Sequence, residues 1–189
     1  MNNGMFDLRQ GHTTRVDESQ PVPSTLVSEA ARTLIAFSGV TILPDIPEYY
    51  RKYPALLNFL SAQKMPWKES RTLAGEIGEY IVMMRETEDA YLVGAATNES
   101  GRTIDLPLSF LEKGKYTVEV IEDGDDAHYL TNRESLKVTT WQLTNNDKLA
   151  LKLAPGGGAC LVIKKTPSMR VGEQAAFPLV SPSWKIGRE

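Results

Sequence analysis

The chain has 189 residues, 41% of them hydrophobic and 24% charged, values that are ordinary for a folded globular protein. Its formal net charge of −3 argues against binding to nucleic acid or to an anionic membrane surface. No apolar run is long enough to span a bilayer, and residues 1–7 lack a basic region followed by an apolar stretch. We therefore expect neither a membrane span nor a signal peptide in this chain.

Residues 24–37 have the spacing of an amphipathic helix. Apolar side chains recur on one helix face (Leu26, Val27, Ala30, Ala31, Leu34 and Ile35), and polar ones lie opposite (Ser28, Glu29, Arg32 and Thr33). Gly39 is expected to end this helix. Residues 40–43 form a short apolar run rich in β-branched residues, as in a buried strand.

A second helical stretch is predicted over residues 49–63, interrupted at Pro54. Asp45 and Glu48 have the spacing of a capping box that would begin it. Helix, strand and helix in about forty residues are typical of an α/β barrel or a layered sheet.

After residue 65 the pattern changes to short segments of period-two alternation separated by Gly, Asn and Asp turns. About eight such strands predict a mostly β fold, an antiparallel β-sandwich. The clearest strand segments are residues 80–85, 90–97, 102–110, 116–120, 136–143, 148–153 and 158–164. Asn145-Asn146-Asp147 is interpreted as a hairpin turn, and residues from Pro167 onward as an irregular tail.

Several residue groups are candidate chemical sites. Glu76 and Glu79 could be paired carboxylates, but on one strand they would point to opposite faces. The acidic run 122–126 fails the EF-hand template and is interpreted as a turn between strands. Gly156-Gly157-Gly158 lacks the lysine, serine and helix of a phosphate loop, so a turn before the last strand is favoured.

Other single residues have simple interpretations. His12 and His128 have neither metal-ligand spacing nor triad partners. Cys160, the only cysteine, rules out an intrachain disulfide, and its apolar neighbours favour a buried small hydrophobe. Asp45 is the one candidate substrate-binding residue, because functional residues of a barrel lie at the carboxyl ends of its strands, although capping a helix is the favoured role.

Three tryptophans keep another kind of function open. Trp67, Trp141 and Trp184 could stack sugars in a stand-alone carbohydrate-binding module, or serve a protein-interaction module. Trp67 lies where the two patterns meet, so packing is the simpler interpretation there. Quenching of tryptophan fluorescence by maltooligosaccharide would distinguish a sugar-binding module from an assembly domain.

A series of segments, in order, resembles the C-terminal end of the family 97 glycoside hydrolases, which are α-glucosidases and α-galactosidases. The series comprises Gly4-Met5-Phe6-Asp7, residues 24–37, Leu43-Pro44-Asp45-Ile46-Pro47-Glu48-Tyr49-Tyr50, Trp67-Lys68-Glu69-Ser70-Arg71 through Gly78-Glu79-Tyr80-Ile81, Leu106-x-Leu108-Ser109-Phe110-Leu111, Gly114-Lys115-Tyr116, Asp123-Gly124 and Leu153-Ala154-Pro155-Gly156-Gly157-Gly158-Ala159.

This resemblance implies a division of the chain into the end of a (β/α)8 catalytic barrel (1–64), a C-terminal sandwich (65–166) and a tail (167–189). It implies that the catalytic glutamates and the calcium ligands of the family lie upstream. No catalytic residue, metal ligand or cofactor is therefore assigned to this chain, which is expected to be inactive alone. The expected partners are the upstream barrel and further copies of the chain, with oligosaccharide bound only through the whole enzyme. The family is typically periplasmic or secreted.

An incomplete barrel end would leave the N-terminal segment without cover. We therefore expect two stability units, with a mobile or self-associating segment up to residue 64 beside a protease-resistant sandwich. The side chains expected to form an exposed apolar patch are Leu26, Leu34, Ile35, Ile42, Leu56, Leu57 and Phe59.

Overall fold

A computed structural model describes Gly4, Phe6 and residues 23–36, 38 and 42–167. Three helices come first: α1 (Leu26–Ile35), α2 (Pro47–Arg51) and α3 (Pro54–Ala62). Eight strands follow: β1 (Glu69–Glu76), β2 (Tyr80–Glu86), β3 (Tyr91–Thr97), β4 (Arg102–Pro107), β5 (Lys115–Asp123), β6 (Leu136–Thr144), β7 (Lys148–Leu153) and β8 (Gly158–Lys165). Within these residues no helix is long and apolar enough to cross a membrane.

The strands form two antiparallel sheets of unequal size. Six strands pair in the order β1-β2-β3-β8-β5-β6, and β4 pairs with β7 in a two-stranded sheet. Side chains from both sheets share one buried cluster, which includes Val93, Val118, Leu106 and Leu151. The predicted antiparallel, mostly β fold with eight strands is confirmed, with layers of six and two strands.

The three helices cover the opposite face of the six-stranded sheet. Leu26, Leu34, Leu56 and Phe59 are fully buried, in a second core that contains Leu92, Ile121 and Cys160 of the sheet. The expectation that these four side chains form an exposed patch is therefore wrong. The reason is that β3 and β8 are apolar on both faces, so one sheet supplies two cores.

The contact between α1 and β3 is close. A β-carbon on Gly94 would lie 2.9 Å from the Ala31 carbonyl oxygen. Ser28, Glu29 and Thr33, predicted on the polar face of α1, are buried as well. The helix is thus enclosed on most sides. The expectation that the segment up to residue 64 is mobile or self-associating stays a prediction. The assignment of residues 1–64 to a barrel remnant stays a prediction.

Local predictions before α2 need correction. Ile42 and Leu43 are 58% and 39% exposed, so they do not belong to a buried strand, and residues 40 and 41 lie outside the described residues. Helix α1 ends at Ile35 with Ala36 as its C-cap, while Gly39 also lies outside them. The break before Pro54 is confirmed by the gap between α2 and α3.

The turn at residues 145–146 is present, but it does not close a hairpin. It joins β6 of the large sheet to β7 of the small sheet, because each strand pairs elsewhere. The Asp147 carboxylate accepts hydrogen bonds from the Thr144 amide at 2.7 Å and from its hydroxyl at 2.8 Å. Strand β1 was missed by the sequence prediction because most of its residues are exposed and polar.

Candidate functional site and interaction surfaces

Asp45 does not cap a helix. The N-cap of α2 is Ile46, which makes no side-chain capping bond, and Pro47 opens the helix. The Asp45 carboxylate instead accepts a hydrogen bond from the Phe6 amide. The capping-box prediction is therefore wrong, because the carboxylate satisfies a distant backbone donor in place of a helix end.

The neighbouring Tyr50 extends this link. Its hydroxyl oxygen accepts a bond from the Asp45 amide at 3.1 Å, and its hydroxyl donates to the Gly4 carbonyl at 3.2 Å. Burial raises the pKa of Tyr50. Its ring packs on Phe6, with centroids 4.9 Å apart. Asp45 and Tyr50 thus hold the segment before α2 against residues 4 and 6. A substrate contact by Asp45 stays a prediction.

An exposed apolar surface lies beside this link. Ile42, Leu43, Ile46 and Met65 are 58%, 39%, 56% and 50% exposed, and we call these four residues the Leu43 patch. Leu43 and Met65 line a groove of about 250 Å³ whose other walls include Leu60 and Trp67. Ile42, Leu43 and Ile46 lie within five residues of the chain, and exposed apolar side chains grouped in this way are typical of a protein-protein contact.

Arg85 joins α1 to the sheet, a role that sequence reasoning missed. It is only 6% exposed, and its guanidinium donates to the carbonyls of Leu34 (3.3 Å) and Ile35 (3.2 Å) at the end of α1. It also lies over the Trp67 ring, 4.6 Å from the centroid, which agrees with a packing role for that tryptophan. Burial lowers the pKa of Arg85. The cation therefore satisfies carbonyls at the negative end of the helix.

The acidic run 122–126 begins on the last two residues of β5 and continues into the predicted turn at residues 125–126, and its first aspartate has a specific task. Asp123 is 3% exposed, and its carboxylate accepts bonds from the amides of Ala154 (3.0 Å) and Gly158 (2.7 Å). Burial raises the pKa of Asp123 to about 6. A β-carbon on Gly157 would lie only 1.9 Å from the same carboxylate oxygen. The glycine turn before β8 is thus built around this buried carboxylate.

The other two aspartates of the run are engaged on the surface. Asp125 pairs with Lys152 at 2.8 Å, and Asp126 accepts bonds from Ser135 at 2.5 Å and Asn132 at 2.8 Å. These bonds hold the pKa of both carboxyl groups below their usual value. Across the described ranges, no three His, Cys, Asp or Glu side chains come together in a way that could hold a metal ion.

The remaining candidates that the structure describes are Glu76, Glu79 and His128. Glu76 and Glu79 are separated by the turn between β1 and β2, so the expectation that they share a strand is wrong, and Glu79 pairs with Arg102 at 2.8 Å. His128 accepts a bond from the Leu130 amide and stacks on Tyr129, whereas His12 and Trp184 lie outside the described residues.

Gly156 and Cys160 have the predicted environments. Gly156 adopts a φ of +65° in the turn that precedes β8, as expected of a turn. Cys160 is fully buried, which confirms the prediction of a small core residue, and burial raises the pKa of its thiol well above the usual value.

Strand β6 forms an edge of the large sheet. Trp141 and Val138 are 51% and 45% exposed on this strand, and the Trp141 indole N–H donates to the Thr139 hydroxyl at 3.1 Å. Trp141 lies opposite Val118, on the face covered by the small sheet, whereas Val138 lies opposite Ile121, on the helix face. The edge therefore exposes an apolar side chain on each face.

Comparison with known proteins identifies the family. Residues 66–164, about half of the chain, match the family model described as "Glycosyl-hydrolase 97 C-terminal, oligomerisation". The chain belongs to glycoside hydrolase family 97. It is the C-terminal accessory part of such an enzyme.

Individual relatives agree with this family assignment. A retaining alpha-galactosidase of Bacteroides thetaiotaomicron is 33% identical over 170 residues, which cover 86% of this chain and 25% of that protein. A probable retaining alpha-galactosidase of Streptomyces bingchenggensis is 28% identical over 123 residues, 65% of this chain and 19% of that protein. The chain thus spans about a quarter or less of the length of these curated relatives.

Solved structures show the same relation. A family 97 enzyme from Pseudoalteromonas sp. strain K8, in complex with acarbose, superposes with a TM-score of 0.79 at 28% identity, over 87% of this chain and 26% of that one. A beta-arabinopyranosidase, with a TM-score of 0.65 at 21% identity, shares the fold. The superposition on the Pseudoalteromonas enzyme covers more of the chain than the family model does, so it includes residues outside 66–164.

Proposed function

We propose that this chain is the assembly module of a family 97 enzyme that hydrolyses α-glycosidic bonds, and that it binds the catalytic barrel through the Leu43 patch. The observation that carries this proposal is the exposure of Ile42, Leu43 and Ile46 within five residues, beside a groove that Met65 also lines. Both curated relatives are named as alpha-galactosidases, which supports α-galactoside as the substrate of the whole enzyme.

Several features support docking at this patch. The patch belongs to the helical side of the chain, which precedes the region matched by the family model. Asp45 and Tyr50 hold the segment against Gly4 and Phe6, so its apolar side chains are presented on an ordered support. A folded partner that buries these side chains would gain free energy in proportion to the apolar area removed from water.

The test uses the full 189-residue chain and a family 97 enzyme from which the corresponding C-terminal region has been deleted. We expect the two proteins to form a complex, and Ile46→Asp to weaken it by about 2 kcal/mol or more, because a carboxylate would be buried in an apolar contact. Ile77→Asp is the matched control. Ile77 is fully exposed at the tip of the β1–β2 turn, away from the patch, so this substitution should leave the affinity unchanged.

Two outcomes would contradict the proposal. The first is that no complex forms with the truncated enzyme, measured by sedimentation of the mixed proteins. The second is that the Ile46→Asp and Ile77→Asp variants bind equally well, since that would place the contact elsewhere.

A further inference from the structure

The two edges of the large sheet are protected to different degrees. Edge strand β1 carries Glu69, Arg71 and Glu76, and its register shifts at a bulge between Thr72 and Ala74. Charges and bulges are the usual means by which a sheet edge avoids pairing with another strand. Strand β1 is therefore protected against pairing with a strand of another molecule.

Strand β6 is much less protected. Its nine residues contain one charged side chain, Lys137, and no proline, and its register with β5 is continuous from Leu136 to Thr144. In the described part of the chain β6 pairs with β5 alone. Its outer backbone donors and acceptors are thus available to another strand, in a region where Val138 and Trp141 are about half exposed.

From these features we propose that β6 is a self-association edge, at which two copies of the chain pair antiparallel about a two-fold axis through Thr140. Thr140 is the central residue of β6, so this axis gives the greatest overlap of the two strands. Thr140 then lies opposite Thr140 of the second copy. Because the two strands run in opposite directions, Trp141, one residue after the axis, lies opposite Thr139, one residue before it in the second copy. The two sheets then continue across the axis.

The charges of β6 suit this arrangement. Lys137 would lie opposite Leu143 of the second copy, so the two lysines stand at opposite ends of the new ladder and do not face each other. The Thr140 pair is a favourable cross-strand pair, and the two indoles of Trp141 become diagonal neighbours, about 7–8 Å apart. A second copy of β6 is therefore complementary to the first without any change in its side chains.

Strand β6 exposes an apolar side chain on each face of the sheet, and this favours a strand over a sugar as its ligand. A saccharide stacked on Trp141 would contact one face of the sheet and leave Val138 exposed on the other. A paired strand covers both. Strand β6 contains none of the residues of the Leu43 patch. Self-association through β6 and binding to the barrel through the patch can therefore be tested independently.

The experiment measures self-association of the full chain by sedimentation and its cross-linking through engineered cysteines. We expect Thr140→Cys to give a disulfide-linked dimer under mild oxidation, since directly opposed α-carbons of an antiparallel pair lie about 4.5–5.5 Å apart, within the range that a disulfide spans. Thr72→Cys, on the exposed edge β1, is the matched control and should stay uncross-linked. Native Cys160 is fully buried and should not compete.

A charge substitution gives the complementary measurement. Thr140→Lys would place two ammonium groups opposite each other, and we expect the dimer dissociation constant to rise roughly tenfold or more, whereas Thr72→Lys should change it less than about twofold. The proposal is overturned if the chain stays monomeric at all concentrations, if the two cysteine variants cross-link equally, or if Thr140→Lys has no effect. It is also overturned if maltooligosaccharide quenches Trp141 fluorescence and the chain does not self-associate.

Discussion

Replacing Asp123 by asparagine should remove a specific pH dependence of stability. Burial raises the pKa of this carboxyl from 3.8 to about 6 in the folded chain. Because the folded state then binds a proton more tightly than the unfolded state, protonation of Asp123 adds stability as the pH falls from about 7 to about 4, and this stability is lost as the pH rises through about 6. Asparagine does not titrate, but its amide oxygen can still accept the bonds from Ala154 and Gly158.

The magnitude follows from the two pKa values. A group with a pKa of about 6 when folded and 3.8 when unfolded makes the chain about 1 kcal/mol more stable at about pH 5 than at about pH 7.5. Asp125 and Asp126, whose pKa values are lowered, act in the opposite direction. The informative quantity is therefore the difference between the natural chain and the Asp123→Asn variant at each pH.

Urea unfolding of both proteins at the two pH values supplies the four free energies needed. We expect the natural chain to gain about 1 kcal/mol relative to the variant on going from about pH 7.5 to about pH 5. If the two proteins instead change in parallel, Asp123 titrates in the folded chain as it does in the unfolded one. The account of a buried carboxylate beneath the glycine turn would then be wrong.

Three further predictions follow from the described contacts. Arg85→Met should lower the free energy of unfolding by about 1–3 kcal/mol, measured by urea unfolding, because the carbonyls of Leu34 and Ile35 lose their buried donor; an unchanged stability would contradict the link between α1 and the sheet. Thermal melts with calcium and with chelator should superimpose, and a shift of several degrees would return Asp123, Asp125 and Asp126 to consideration as ligands. The isolated chain should release no nitrophenol from nitrophenyl α-glucoside or α-galactoside, and turnover that survives repurification would refute its inactivity.

The strands could be predicted because their alternation is local. Leu149, Leu151 and Leu153 alternate with exposed residues in the structure as they do in the sequence. The position of the helices could not be predicted in the same way. The apolar run of β8 shows that both of its faces are covered, but it does not show whether a strand or a helix covers each face.

The polar contacts that organise the molecule were harder to foresee. Asp45 and Glu48 satisfy the local spacing of a capping box, yet Asp45 bonds with Phe6, which is distant in sequence. In the sequence, Arg85 is simply a polar residue near the end of β2. Its contact with the end of α1 arises only from the three-dimensional packing. Such contacts depend on tertiary structure, which no short sequence window contains.

The assembly role is tested most directly by hydrogen exchange of the chain, alone and in the presence of a family 97 enzyme that lacks its C-terminal region. We predict slower exchange at the amides of Ile42, Leu43, Asp45, Ile46 and Met65 in the complex, because the Leu43 patch becomes buried there. Amides of the Ile77 turn should exchange at the same rate in both samples. Unchanged exchange at the Leu43 patch, with protection elsewhere or nowhere, would contradict the proposed docking surface.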